Sequence, residues 1–138
     1  MKNKIIIIGC GRLGASIANH ESEMGENVIV IDEDEQSFDR LDESFSGFKI
    51  TGDSTDPTVL EQGYIKTASE VIITTGDDNT NLFLAHLCSL IYQVPEVYVR
   101  FADPEKSILI SGMNVKAIYP FELSLNKFTA LENGGNDR

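Results

Sequence analysis

The run Gly9-Cys10-Gly11-Arg12-Leu13-Gly14 spaces three glycines as G-x-G-x-x-G. It follows Ile5-Ile6-Ile7-Ile8, and a helical pattern comes after it. That strand–turn–helix setting is what a dinucleotide fingerprint requires. Gly9 allows a tight turn, Gly11 lets a pyrophosphate approach the backbone, and Gly14 lets the helix pack close to the strand. The helix N-terminus adds unpaired N–H groups and a partial positive charge that suit phosphate. Asp32 ends the next apolar run, Asn27-Val28-Ile29-Val30-Ile31. An acid about 20 residues beyond the glycines can hydrogen-bond ribose hydroxyls, and it repels a 2′-phosphate, which disfavours NADP. The plainer alternative is a glycine turn and a solvated acid; strand, spacing and acid together point away from it.

Further polar clusters fall where predicted strands end. Glu33 could share the ribose, or be a loop acid. Gly52-Asp53-Ser54-Thr55 ends a third strand, and Asp53 is either an acceptor for an adenine amino group or a turn residue. Thr75-Gly76-Asp77-Asp78 ends a fourth, and its acids could bind a cation or cap a helix. Arg12 lies in the glycine loop and Arg100 ends a fifth strand, and either could neutralise phosphate. Cys10 is either a small residue that fits or a thiol of lowered pKa at a helix start. His20 and His86 have no partner at metal-ligand spacing. No Ser/His/Asp set is present, and little chain remains for a substrate domain with an acid–base residue.

Strand and helix patterns alternate, which predicts an α/β, Rossmann-like, doubly wound domain with a six-stranded, mostly parallel sheet. Strands are expected at 4–8, 28–31, 48–50, 71–75, 97–100 and 115–119. Helices are expected at 12–24, 34–45, 56–62, 79–93 and 103–112, with a C-terminal amphipathic helix at 121–131 carrying Phe121, Leu125 and Phe128. The helix at 79–93 is apolar over much of its circumference, which suggests cover from a second subunit. Residues 1–132 are expected to form one nucleotide-binding domain, and 133–138 a disordered tail.

The chain has 138 residues, 41% of them hydrophobic, and a formal charge of −11. The size fits one domain with a proper core. The charge argues against nucleic acid or an anionic membrane as partner. No apolar run reaches a membrane span, no signal-peptide pattern opens the chain, and Cys10 and Cys88 form no C-x-x-C pair. A cytosolic protein with reduced thiols is the expectation.

The pieces Ile7-Ile8-Gly9-Cys10-Gly11-Arg12-Leu13-Gly14, Val30-Ile31-Asp32, Gly52-Asp53-Ser54-Thr55-Asp56, Thr75-Gly76-Asp77-Asp78-Asn79-Thr80-Asn81, Val99-Arg100 with Asp103-Pro104, and Ala117-Ile118-Tyr119-Pro120 occur in this order. Over roughly residues 4 to 125 the chain resembles the TrkA-N domain (the RCK N-terminal or KTN domain) of potassium channel and transporter regulators. The resemblance implies a non-enzymatic, cytoplasmic regulatory subunit, peripheral to the membrane through its partner. It implies an adenine nucleotide as ligand, NAD(H) or ATP/ADP, and a homodimer or a ring of dimers beneath a potassium channel or transporter subunit. By the same resemblance Gly9, Gly11 and Gly14 hold phosphates, Asp32 the ribose, and Asp53 and Ser54 the adenine side. Arg12 matches a loop arginine that meets terminal phosphates, Arg100 matches a strand-end arginine near the ligand, and the helix at 79–93 and the next one match pairing elements. Many members continue into a second regulatory domain, where this chain stops. Members with an acid directly after the final-strand proline use it for a cation; here Phe121 follows Pro120, so no metal site is expected. The competing function is a small NAD-dependent oxidoreductase or redox sensor centred on Cys10; a ligand-free scaffold is a third.

Overall fold

The computed structural model describes residues 3–134. Its strands are β1 (Lys4–Ile8), β2 (Asn27–Asp32), β3 (Phe48–Thr51), β4 (Glu70–Ile73), β5 (Glu96–Arg100) and β6 (Lys116–Ile118). Its α-helices are α1 (Arg12–Glu23), α2 (Pro57–Gln62), α3 (Asp78–His86) and α4 (Pro120–Glu132). The strands form one sheet in the order β3-β2-β1-β4-β5-β6. Every neighbouring pair is parallel, so the sheet is wholly rather than mostly parallel.

The isoleucine run shows why β1 is central. Ile5 and Ile7 face one side, with Val28, Val30, Ala15 and Ala18 of α1, and Phe38. Ile6 and Ile8 face the other, with Ile29, Ile31, Leu60 of α2, and Leu84 and Ala85 of α3. A strand covered on both faces must be apolar at every position, which is how this one reads. The order of strands reverses at β1 and β4, so a crevice opens beyond their carboxyl ends.

Several elements differ from the sequence expectation, among them β4, which ends at Ile73 rather than Thr75. The helix expected at 34–45 is a 3-10 turn, Glu35–Arg40, after which Leu41 is extended. Phe38, Leu41 and Phe45 still pack in one cluster. Two backbone N–H groups beyond the turn go to α1 instead: Asp42 donates to Asn19 Oδ1 at 2.9 Å and Ser46 to Ser22 Oγ at 3.2 Å. The helix expected at 79–93 changes to a π-helical turn over Leu87–Ile91. There Tyr92 N–H reaches back to the Leu87 carbonyl at 3.0 Å, five residues earlier. The segment after Asp103 is a 3-10 helix, Pro104–Ile110, capped by Asp103 through the Glu105 N–H. In α4 no residue is buried, so its apolar residues form an open face rather than a packed one.

Strand β6 is shorter than the expected 115–119. Asn133 and Gly134 close α4 with a turn, and 135–138, in the expected disordered tail, lie outside the described residues. Among the described residues no helix is long and apolar enough to cross a membrane.

Candidate functional site

Chain reversal after β1 is built around Gly9, which sits at φ +96°. A Cβ there would lie 2.8 Å from the Thr74 carbonyl carbon, and one at Gly14 would lie 1.9 Å from the Gly9 oxygen. The protein itself therefore demands glycine at both positions. Gly11 is different, because a Cβ there would meet nothing within 4 Å. Packing leaves that space open, directly beside the start of α1. Thr74 seals the underside by donating its hydroxyl to the Gly9 carbonyl at 2.9 Å.

Asp32 is fixed at the end of β2. Its Oδ2 accepts the Cys10 N–H at 2.7 Å, while Oδ1 accepts the Asp34 N–H at 2.8 Å and the Ser37 hydroxyl at 3.3 Å. The carboxylate is thus tied to the glycine loop, partly exposed and facing the crevice.

The crevice holds about 600 Å³, within the range of ~300–1,000 Å³ usual for small-molecule sites. It brings together Gly9, Gly11, Asp32, Glu33, Asp53, Ser54, Thr75, Gly76, Asp77 and Arg100. Gly52 and Thr55 of the third strand's polar cluster also line it, as do Ile8, Ile31, Ser37, Thr74 and Thr80, to which sequence reasoning assigned no site role. Arg12 and Leu13 do not line it. They belong to a second cleft of about 430 Å³, with Ile118, Pro120 and Leu123. Gly11, Thr74 and Arg100 border both clefts. Gly14 is buried under the loop.

Cys10 is fully buried and lines neither cleft. Burial, and then the Asp32 carboxylate, push its thiol pKa up, the opposite of an activated cysteine. Burial likewise pushes Cys88 up to about 12.

The acids around the crevice have defined local partners. Asp53 Oδ1 accepts the Thr55 hydroxyl at 2.7 Å and its N–H at 2.9 Å, which lowers its pKa. Asp77 caps α3 through the Thr80 hydroxyl and N–H, and its pKa is lowered for the same reason. Asp78 accepts the Ala102 and Asp103 N–H groups at 2.8 and 3.0 Å, bracing the loop after β5. His86 Nε2 meets the Leu109 carbonyl at 3.1 Å, linking α3 to the 3-10 helix.

Asn81, only 1% exposed, joins the ends of two strands. Its Nδ2 donates to the Thr75 and Arg100 carbonyls at 3.0 and 2.9 Å, and its Oδ1 accepts from the Thr75 N–H and hydroxyl. It thereby fixes where Thr75 and Arg100 stand at the rim. In the polar first turn Asp78-Asn79-Thr80-Asn81 nothing local singles this asparagine out, and its Arg100 partner is brought near only by the fold.

A parallel sheet of order 3-2-1-4-5-6, with a glycine loop and an acid at its switch point, defines a Rossmann-like α/β domain. The model of the TrkA-N domain matches residues 5–120, and the chain belongs to that family. It is 32% identical over 114 residues to the Trk system potassium uptake protein TrkA of Streptomyces coelicolor, covering 83% of this chain and 51% of that one. It is 32% identical over 115 residues to a TrkA homolog of Pyrococcus horikoshii, covering 83% and 50%. The chain thus spans about half the length of the curated relatives it matches. Among solved structures it is similar to the GsuK RCK domain, with a TM-score of 0.78 and 27% identity over 94% of this chain and 28% of that one. GsuK is known as a channel bound to NAD and in an ADP-bound form, matched with the same TM-score and identity over 94% of this chain and 23% and 33% of those chains.

Proposed function

We propose that this domain is the nucleotide-sensing part of a cytoplasmic regulator of potassium transport, peripheral to the membrane through a channel or transporter subunit. It binds without turnover, and residues 1–132 act as one nucleotide-binding unit. The observation that carries this reading is the space at Gly11 beside the Asp32 carboxylate. An anion would fit against the N-terminus of α1, and a sugar diol against the acid. Arg100 borders both clefts and Arg12 the second, while Glu33, Asp53 and Asp77 line the remainder, where a phosphate would be repelled. Phosphates are thereby confined to the loop of Gly9, Gly11 and Gly14. Ser54 and Asp53 stand on the adenine side, and Thr75 and Gly76 form the facing wall. The ligand is an adenine nucleotide, NAD(H) or ATP/ADP, as the NAD- and ADP-bound forms of GsuK suggest.

The second cleft would receive whatever extends beyond the phosphates, a second nucleoside in a dinucleotide. Its wall includes Pro120 and Leu123, so ligand length would be read by the first turn of α4. Assembly is proposed as a homodimer or a ring of dimers. Its support is the exposed apolar set Phe83, Leu90, Ile91, Ile108 and Leu109 on α3 and the segments that follow it and β5. The redox-sensor reading finds no support in Cys10, whose thiol is buried with a raised pKa.

Calorimetric titration of nucleotide-stripped protein with ADP, NADH and NADPH tests the site. Asp32→Ala is expected to weaken ADP and NADH at least about tenfold, because hydrogen bonds to a charged group are worth roughly 1.5–3 kcal/mol. Unchanged affinity would remove Asp32 from the site.

A further inference from the structure

Arg40 ends the 3-10 turn Glu35–Arg40 and lines neither cleft. Its Nη1 nevertheless donates to the Cys10 carbonyl at 3.3 Å. Asp32 takes the N–H of the same residue at 2.7 Å. Cys10 is therefore held at both of its peptide groups, by two side chains more than twenty residues away along the chain.

The consequence lies in the next peptide. In a trans peptide the carbonyl and the following N–H point to opposite sides, and none of the described bonds is cis. A Cys10 carbonyl turned toward Arg40, away from the clefts, sends the Gly11 N–H toward the space that Gly11 borders. Rotating this peptide changes ψ of Cys10 and φ of Gly11. Glycine tolerates such a change better than any other residue, and nothing lies within 4 Å of where its Cβ would be. Without Arg40 the carbonyl could swing toward the crevice and present a negative dipole where phosphate should sit.

We propose that Arg40 is a positioning residue for the phosphate loop, holding the Cys10–Gly11 peptide with its N–H toward the ligand while touching no ligand itself. This rests on the nucleotide reading above. The probes are ADP, which has phosphates, and adenosine, which has none. They are titrated into wild type, Arg40→Ala and Arg40→Lys, at low and at high salt. The Gly11 amide resonance is followed in ligand-free protein.

Arg40→Ala is expected to weaken ADP by about tenfold and adenosine by less than about twofold, as loss of one oriented charge-assisted contact implies. Arg40→Lys restores part of the loss, and the loss persists at high salt, where a remote surface charge would be screened. The Gly11 amide shifts or broadens in Arg40→Ala. Equal ADP affinity in wild type and Arg40→Ala would overturn the proposal, as would equal losses for ADP and adenosine, or a loss abolished by salt. If wild type binds neither probe, the nucleotide reading fails. The Gly11 resonance then decides alone whether Arg40 holds the peptide, an unchanged resonance overturning that too.

Discussion

At the residue scale, the three fingerprint glycines separate into two kinds. Gly9 and Gly14 serve the fold: the Gly14 Cβ would overlap the Gly9 oxygen at 1.9 Å, and backbone cannot yield there. Gly14→Ala is expected to cost at least about 3 kcal/mol, beyond ordinary overpacking, and to show as a melting-temperature drop of several degrees. Gly11 has no such packing demand, and on the proposed reading its role is toward the ligand. Gly11→Ala should change stability by about 1 kcal/mol or less but weaken ADP on the order of tenfold. Thermal melts and calorimetry on the two variants separate the roles; equal behaviour in both assays would contradict this division. The glycines and Asp32 were legible in the sequence because their signal is local spacing. Arg40 was not, because its partner is the Cys10 main chain far away in the sequence; the role of Asn81 was not, because it depends on the Arg100 carbonyl, which only the fold brings next to nearby Thr75. At Cys10 the sequence left two readings, and its burial supports the small residue that fits over the activated thiol.

At the element scale, the strands were readable nearly to their ends because burial on both faces forces continuous apolar runs. The segment 34–45 was not, because Phe38, Leu41 and Phe45 fit a helical spacing while Asn19 and Ser22 of α1 take the N–H groups a helix would need. The start and end of α4 were close to expectation, but its packing was not, since none of its residues is buried. Its first turn still reaches the second cleft through Pro120 and Leu123. Leu123→Trp should fill that cleft. NADH affinity is then expected to fall about tenfold, with ADP affinity unchanged and the fold intact, because Leu123 is an exposed residue. Equal effects on both ligands, measured by competition, would show that the second cleft is not used by the longer one.

At the scale of the whole molecule, the charge of −11 opposes association of copies, and the proposed assembly would have to overcome it through the exposed apolar residues of α3 and its neighbours. Ile91 is 70% exposed and Ile108 76% exposed, which makes them the residues to test for a contact between copies. The double variant Ile91→Asp, Ile108→Asp is expected to sediment as a monomer where wild type sediments as a dimer or larger. Retention of the wild-type mass would place the contact elsewhere, with the open face of α4 the next surface to test. The sequence showed this apolar excess at 79–93 as a helix apolar around too much of its circumference. It could not show that Ile108 and Leu109 join the same region, because the His86 contact to the Leu109 carbonyl arises only in the folded chain.

The central claim is that the crevice at the end of β1 and β2 binds an adenine nucleotide with free ribose hydroxyls. Calorimetric titration of nucleotide-stripped wild type and Asp32→Ala with ADP, NADH and NADPH tests it most directly. Binding of ADP or NADH, with NADPH weaker and with the loss on Asp32→Ala, is the predicted result. Absence of binding by all three, or a preference for NADPH, would contradict it.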